Sequence, residues 1–306
     1  MRVNNVEKVF NNISQKGDSS KVSGRISGLP ITAPTCKAHI QGMGAYKDYI
    51  ILTHNSESSG TDFGSIIVAN RKSKKILYRM DTPEKGYNHP GGCQIEHENG
   101  YLALSLEPNG DKKKSSVIRF YDLKNMTDNT RPSLLPATIK RDDRKAGAVG
   151  ITSRVENGKK IFYVVVIDNS MTDVYKSNGL PLEDSNCRFE LVFGGIKLKY
   201  GGDNISLITD ISERIYLIGF RTEELMKENK DLSDLYLIDF SKKEITYITS
   251  RHFISKHANP GATGVYFRYG AGVEIESENK INLLASERNY IYLQGNIEYN
   301  IFYTKS

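Results

Sequence analysis

Residues 89–107 read HPGGCQIEHENGYLALSLE, and this stretch contains the unit that recurs along the chain. It joins a glycine-rich segment, a short polar turn and a run of mostly apolar residues, a pattern typical of two antiparallel β-strands. Glycine has no side chain to clash, so glycines at the start of a strand indicate that backbones approach each other closely there.

The same unit occurs five times in all. Its apolar strands are YIILTHN (49–55), YLALSLE (101–107), FYVVVID (162–168), IYLIGFR (215–221) and INLLASE (281–287). The strands that precede them are HIQGMGAY, HPGGCQIEH, GAVGITSRV, NISLITDI and GAGVEIES. Third strands are expected at GSIIVAN, SVIRFYDL, TDVYKSN, DLYLIDF and YIYLQ, and most units have a fourth, such as KILYRMD (75–81). One segment, TEELMKENKDL (222–232), is the best candidate for a helix.

Five units of four antiparallel strands predict an all-β chain, folded as a five-bladed β-propeller. The expected blades span about 39–83, 89–141, 146–197, 203–255 and 268–306. A β-sandwich would also contain many short strands, but it would not repeat a glycine-rich strand before an apolar one in phase. Residues 1–38 are too polar for a sixth blade, so we expect an N-terminal closing segment on a single propeller domain, 39–306.

Composition and charge restrict the partners. The net charge of +6 comes from 42 basic and 36 acidic residues spread along the chain, which favours solubility over polyanion binding. The basic runs KSKK (72–75) and DKKK (111–114) contain no aromatic residues, so we expect solvated hairpin tips and no nucleic-acid partner.

Targeting signals are also absent from the pattern. No stretch approaches the roughly 18 apolar residues of a membrane span, and the N-terminus has no apolar leader. We therefore expect no membrane span, and either a cytoplasmic protein or a secreted one whose leader has been removed. Three widely spaced cysteines favour reduced thiols over a disulfide framework or a zinc ribbon.

Polar residues collect where one face of the disc is expected. First and second strands of a blade run antiparallel, so the starts of the former and the ends of the latter meet at one mouth of the channel. The strand starts carry His39, Gln41, His89, Gln94, Asp203, Asn204, Arg268 and Tyr269. The strand ends carry His54, Asn55, Glu107, Asp168, Asn169, Arg221, Glu287 and Arg288. All of these except Tyr269, Asn169 and Arg288 are our candidate ligand contacts.

At the level of blade count and strand order, the chain resembles five-bladed propellers, which include tachylectin-like lectins and arabinanase-like furanosidases. The furanosidases place an Asp in the first strand of an early blade, where this chain has His39 or His89, so their catalytic residues cannot be carried over. The tachylectin repeat is rich in Trp, which this chain lacks. The segments HIQG, HPGGCQ, AGAVGIT, DNISLITD and DLYLIDF are similar to those of an uncharacterised bacterial propeller family.

The ring of polar groups leads to a first hypothesis, a propeller that binds a small polar or anionic ligand, including a glycan, at one mouth of its channel. In it His39, His89 and Gln94 form hydrogen bonds, Arg221 and Arg268 pair with anionic groups, and the 256–270 loop covers the ligand. The alternative is a hydrolase or lyase whose catalytic residues come from His39, His89, Glu107 and Asp168. A protein-interaction scaffold is a third possibility.

The pattern leaves open whether the protein is an enzyme, and it names no cofactor or oligomeric state. His39, His54 and His89 with Glu107 form a nitrogen and oxygen set that suits a divalent metal. They lack the tight spacing of metal motifs, so no residue is assigned as a metal ligand.

Overall fold

The computed structural model describes residues 2–25, 39–55, 62–110, 114–224, 229–254, 265–288, 291–293 and 296–304. The chain forms one short helix and 21 β-strands within these ranges. The helix α1 spans Val6–Asn12, and β1 follows it at Gly17–Gly24. The predicted all-β class is confirmed. In the described part of the chain, no helix has the length and apolarity that crossing a bilayer requires.

Three of the sheets are four-stranded, antiparallel and ordered as they occur in the chain. The first contains β6 (His89–Glu96), β7 (Tyr101–Glu107), β8 (Ser116–Asp122) and β9 (Ser133–Arg141). Residues 97–100 form a short turn between β6 and β7, as the turn residues between the apolar runs predict.

The next two sheets repeat this order. One contains β10 (Ala148–Glu156), β11 (Lys159–Asp168), β12 (Met171–Ser177) and β13 (Phe189–Lys197). The other contains β14 (Asn204–Thr209), β15 (Ile215–Glu224), β16 (Asn229–Asp239) and β17 (Glu244–Phe253).

A nine-stranded sheet accounts for the remaining strands. One arm contains β2 (Ile40–Tyr46), β3 (Tyr49–His54), β4 (Ser65–Asn70) and β5 (Lys75–Asp81). The other arm contains β18 (Ala271–Ser277), β19 (Lys280–Ser286), β21 (Asn296–Thr304) and β1, with β20 (Ile291–Leu293) paired to β21 alone. A single parallel register pair, Ser23 with Lys75, joins the two arms.

The sheets surround a common axis. The innermost strands contact one another in the order β2, β6, β10, β14, β18 and back to β2, so the ring closes as in a β-propeller. Within the described ranges, apolar clusters fill the spaces between neighbouring sheets and arms. For example, Ile51 and Val68 pack against Leu104, and Ala148 and Ile167 pack with Leu217 in the next sheet along the chain. The core therefore lies between the sheets.

The glycines at the starts of the inner strands lie where those strands approach most closely, as the sequence predicts. A Cβ atom on Gly91 would lie 2.1 Å from the carbonyl oxygen of Gly147, and one on Gly272 would lie 2.2 Å from that of Met43. Both contacts join neighbouring inner strands. Only glycine can occupy these positions without moving a backbone.

Two local predictions are wrong. The segment 222–232, predicted as a helix, is strand where it is described: β15 runs to Glu224 and β16 starts at Asn229, while 225–228 lie outside the described residues. Pairing of Thr222 with Asp231 extends the hairpin ladder and overrides the local preference. YIYLQ does not supply the third strand of the last unit, because β21 pairs directly with β19.

Candidate functional site

Antiparallel pairing brings the starts of first strands and the ends of second strands to the same edge, as predicted. His39 and Asn55 exchange hydrogen bonds, the Asn55 N–H donating to the His39 carbonyl at 3.2 Å. His89 stands opposite Glu107 in the β6–β7 register. The Ser286 N–H donates to the Gly270 carbonyl at 2.7 Å. These edges surround one mouth of the ring.

A cavity of about 410 Å³ opens at this mouth. Seven of the predicted contacts line it: His39, Gln41, His89, Glu107, Asp168, Asp203 and Arg268. Lys145, Gly147, Asn169, Tyr269 and Arg288 complete the lining. We call this cavity the mouth pocket. Residues from positions 39 to 288 therefore meet in a space large enough for a small ligand.

Gln41 joins the two histidines of the mouth pocket. Its Nε2 lies 2.8 Å from Nε2 of His39 and 2.7 Å from Nε2 of His89. A primary amide nitrogen carries two N–H groups, so it donates one hydrogen bond to each ring. Both Nε2 atoms then act as acceptors in this arrangement.

Glu107 orients the ring of His89 through a hydrogen bond with its Nδ1. Its Oε1 accepts a hydrogen bond from Nδ1 of His89 at 2.9 Å, and its Oε2 accepts one from the Ala146 N–H at 2.8 Å. The carboxylate is buried, with 8% of its side chain exposed. This pairing places the proton of His89 on Nδ1, leaves the lone pair on Nε2, and would stabilise an imidazolium if Nε2 took up a proton.

An aromatic ring and two guanidinium groups form the opposite wall. The ring of Tyr269 meets that of His39 edge to face, with centroids 5.0 Å apart. The guanidinium carbon of Arg288 lies 4.7 Å from the Tyr269 centroid and that of Arg268 lies 5.4 Å from it. Such cation–π contacts hold both guanidinium groups against the ring.

The charges of these cations are compensated unequally. Nε of Arg268 lies 2.7 Å from Oδ2 of Asp203, so that cation has a carboxylate partner. Arg288 has no carboxylate within ion-pair distance among the residues that the structure describes. Lys145 adds a third positive group to the lining. This wall therefore offers an attractive position to an anionic group.

Six predicted contacts lie outside the lining, and as ligand contacts they stay predictions. His54 is fully buried, and burial, reinforced by the nearby His39, lowers its pKa to about 3. Asn55 accepts the His39 N–H on its Oδ1 at 2.5 Å, so it fixes the start of β2. Glu287 is 1% exposed and is paired through its backbone with Val265.

Gln94 and Asn204 lie within the ring. The Gln94 Oε1 accepts from the backbone N–H groups of Ile151 and Leu207 at 2.7 Å, and its Nε2 donates to the Leu207 carbonyl at 2.7 Å. Its amide thus joins β6, β10 and β14 across the axis. Asn204 is buried and donates to the Arg268 carbonyl at 2.9 Å, which supports the start of the last inner strand.

Arg221 is held by acidic neighbours. Its Nε lies 2.7 Å from Oδ2 of Asp234, it also pairs with Glu223, and its guanidinium stacks on Tyr200. The reason is that β15 continues to Glu224, which carries Arg221 into the interior of a strand. The predicted 256–270 cover lies largely outside the described residues, which resume at 265.

Sequence reasoning missed Lys145 and left Tyr269, Asn169 and Arg288 unselected. The last three occupy the same strand-edge columns as the chosen residues, so the signal was present. Lys145 stands in the β9–β10 connection, before the glycine-rich strand, and no periodic pattern points to it.

Among the described residues, no group of three or more His, Cys, Asp or Glu side chains is arranged to hold a metal ion.

No protein-family model matches the chain, and no curated protein matches it in sequence. Solved structures do resemble it in three dimensions. A GH62 hydrolase in complex with xylotriose is 7% identical, with a TM-score of 0.49 over 94% of this chain and 97% of that one. An exo-1,5-alpha-L-arabinanase from a bovine ruminal metagenomic library is 11% identical, with a TM-score of 0.41 over 86% and 92%.

The Nup133 β-propeller domain of Vanderwaltozyma polyspora is 10% identical, with a TM-score of 0.41 over 91% of this chain and 84% of that one. At identities this low, these likenesses carry no information about the ligand or activity of this chain.

Proposed function

We propose that the protein binds a small polar ligand with an anionic group, such as an acidic glycan, in the mouth pocket. The observation that carries this proposal is the wall formed by Arg268, Arg288 and Tyr269, in which Arg288 has no carboxylate partner among the described residues. A guanidinium fixed on an aromatic ring can hold a carboxylate or sulfate through two parallel hydrogen bonds.

The rest of the lining suits a ligand with many hydroxyl groups. Asp168 and Asp203 offer acceptors, while Asn169 and Lys145 offer donors. In this role Arg288 binds the anionic group, and the Gln41 amide and its two histidines contact the hydroxyls.

The test compares Arg288→Gln with Arg131→Gln, an exposed arginine that lines no part of the mouth pocket. Binding of acidic and neutral glycans is measured by isothermal titration calorimetry after a glycan-array screen. Loss of a charge-assisted pair should weaken binding of the acidic ligand by about tenfold or more, whereas Arg131→Gln should leave it unchanged. Equal affinities for the two variants would contradict the proposal.

A second candidate is a hydrolase or lyase at the same pocket, and the His89–Glu107 pair favours it. Nε2 of His89 can take a proton from a water molecule or from a carbon next to a carboxylate, while Glu107 stabilises the imidazolium that forms. In hydrolysis the activated water adds to the scissile centre. In elimination the carbon–oxygen bond breaks as a carbon–carbon double bond forms, and the leaving oxygen takes up a proton.

The enzyme candidate is tested by product analysis. Glycans bound in the calorimetric experiment are incubated with the protein, and mass spectrometry distinguishes the added water of hydrolysis from the unsaturated product of elimination. Glu107→Gln should lower kcat by roughly 10²-fold or more with a small change in KM. The reason is that a glutamine no longer stabilises the imidazolium of His89, which forms only as the reaction proceeds. Intact binding with no product would eliminate the enzyme and leave the binding protein.

We also propose that the ring has five blades, the nine-stranded sheet counting as two, and that residues 39–306 form one domain closed by residues 1–38. The two arms share one register pair, whereas β1 and β21 pair along their full length from Gly17 to Gly24. The apolar cluster of Val22, Ile50 and Leu284 between the arms matches the clusters between the separate sheets. In a hydrogen-exchange experiment, the backbone amides of β1 and β21 should be protected to the same degree.

A further inference from the structure

We infer that the ligand extends beyond the mouth pocket into a second, neighbouring cavity, so that the preferred ligand is an acidic oligosaccharide several units long. This inference rests on the proposed binding function. The second cavity has a volume of about 520 Å³. Its lining consists of Lys114, Arg141, Asp143, Arg144, Lys145, Asp168, Asn169, Met171, Asp173 and Gly195.

The two cavities share a wall. Lys145, Asp168 and Asn169 line both of them. Asp168 ends β11 and Asn169 follows it in the left-handed conformation, with φ of 56°, in the tight turn before β12. A ligand in the mouth pocket that passes this turn therefore enters the second cavity, and the shared residues contact it from both sides.

A buried ion pair gives the second cavity a rigid floor. NH2 of Arg141 lies 2.6 Å from Oδ2 of Asp173, and each side chain is 3% exposed. The Gly195 N–H donates to Oδ1 of Asp173 at 3.0 Å. A paired and hydrogen-bonded charge of this kind holds one geometry, because breaking it would leave an uncompensated buried ion.

The same carboxylate also holds the cation at the rim. NH1 of Arg144 lies 2.6 Å from Oδ1 of Asp173, and the Arg144 side chain is 44% exposed. Asp173 compensates only one of the two guanidinium charges, Nε of Arg144 also lies 3.5 Å from Oδ2 of Asp143, and the exposed Lys114 adds positive charge at the open side of the cavity. The N–H donors of Arg144 that face solvent can bind an anionic group that enters from the mouth pocket.

The balance of charges selects the ligand class. Asp143 and Asp168 line the second cavity together with its cations, and Glu107 and Asp203 line the mouth pocket. A polyanion with a charge at every few ångströms, such as a nucleic acid, would be repelled by these carboxylates. An oligosaccharide with spaced acidic groups and hydroxyls between them places each anion on a guanidinium or ammonium and each hydroxyl on a carboxylate.

The experiment measures how affinity depends on ligand length. Calorimetry is run with size-defined disaccharides and hexasaccharides of two sources with spaced acidic groups, hyaluronan for carboxylates and keratan sulfate for sulfates, with maltohexaose as the neutral reference. In the wild-type protein the acidic hexasaccharide of the preferred source should bind about tenfold tighter than its disaccharide.

Variants separate this inference from the proposed function. Arg144→Gln and, independently, Lys114→Ala should reduce the gain from the longer ligand to about twofold while the disaccharide affinity stays the same. Arg288→Gln should weaken both ligands. A hexasaccharide that binds no better than the disaccharide, or a gain that survives both Arg144→Gln and Lys114→Ala, overturns the inference and leaves the proposed function standing. No binding of any acidic ligand overturns both.

Discussion

The Gln41 amide shows what single residues do at the mouth. The sequence predicts that Gln41, His39 and His89 lie near each other, because each begins an inner strand. Their order, with the amide between the two rings, follows from side-chain directions that no spacing reveals. The same holds for Glu107, whose register partner is His89 and whose second oxygen accepts the Ala146 N–H.

His54 should make the stability of the protein depend on pH. Burial lowers the pKa of its ring to about 3, whereas an unfolded histidine titrates near 6.5. Between these values the unfolded state binds more protons, so the stabilisation is complete above about pH 6.5 and is lost as pH falls toward 3. In urea unfolding, His54 should lower the free energy of unfolding by about 2 kcal/mol at pH 5 relative to pH 7.5. This loss should disappear in His54→Leu.

The comparison uses the difference in free energy of unfolding between the two pH values. A change in packing that His54→Leu causes equally at both pH values therefore cancels. A variant that loses as much stability on acidification as the wild-type protein would show that His54 is not held neutral.

At the scale of elements, the repeated strand order was predictable because each apolar run has its own turn residues. The start of β2 and the end of β3, or of β6 and β7, follow directly from the alternation of apolar and polar residues. The two wrong predictions concern segments whose structure is decided by the strand that pairs with them. Strand β15 extends to Glu224 because β16 continues the ladder beside it, and β21 takes the position beside β19 that the local pattern of YIYLQ suggested for β20.

Gly91→Ala tests the close approach of the inner strands. The added Cβ would lie 2.1 Å from the Gly147 carbonyl oxygen, and backbone cannot yield as a flexible side chain can. The free energy of unfolding, measured by urea denaturation, should fall by about 2 kcal/mol or more.

Gly219→Ala is the matched control within a strand. A Cβ there meets its nearest atom at 3.8 Å and its φ is not in the left-handed range, so the change should be neutral or stabilising by about 0.5 kcal/mol. If the two variants are equally stable, the inner strands do not crowd at Gly91.

At the scale of the whole molecule, the N-terminal residues pack on elements from the end of the chain. Strand β1 pairs antiparallel with β21, and the buried face of α1, Val6, Val9 and Phe10, packs against the β14–β17 sheet and the arm that contains β18 and β19. The Asn5 side chain caps this helix by accepting the Lys8 N–H at 2.9 Å. The sequence signal for α1, a cap followed by apolar residues at helical spacing, was missed.

Phe10→Ala should therefore weaken the whole ring. The fully buried Phe10 belongs to a cluster that also contains Phe220 from β15 and Phe302 from β21. Removing its ring should cost about 3–5 kcal/mol, measured as the free energy of unfolding followed by circular dichroism. The exposed Lys8→Ala in the same helix should change it by no more than about 0.5 kcal/mol. A loss as small as that of Lys8→Ala would mean that α1 does not support the closure.

The sequence by itself determined the strands, their repetition, the glycine positions and the edge at which polar groups collect, because each depends on residues close together in the chain. Only the tertiary structure decided which of those groups share a cavity. His39, His89, Lys145 and Arg288 meet because the sheets close into a ring, and the buried positions of His54 and Gln94 depend on strands far away in sequence. Proximity across the ring is a property of packing, and no local pattern encodes it.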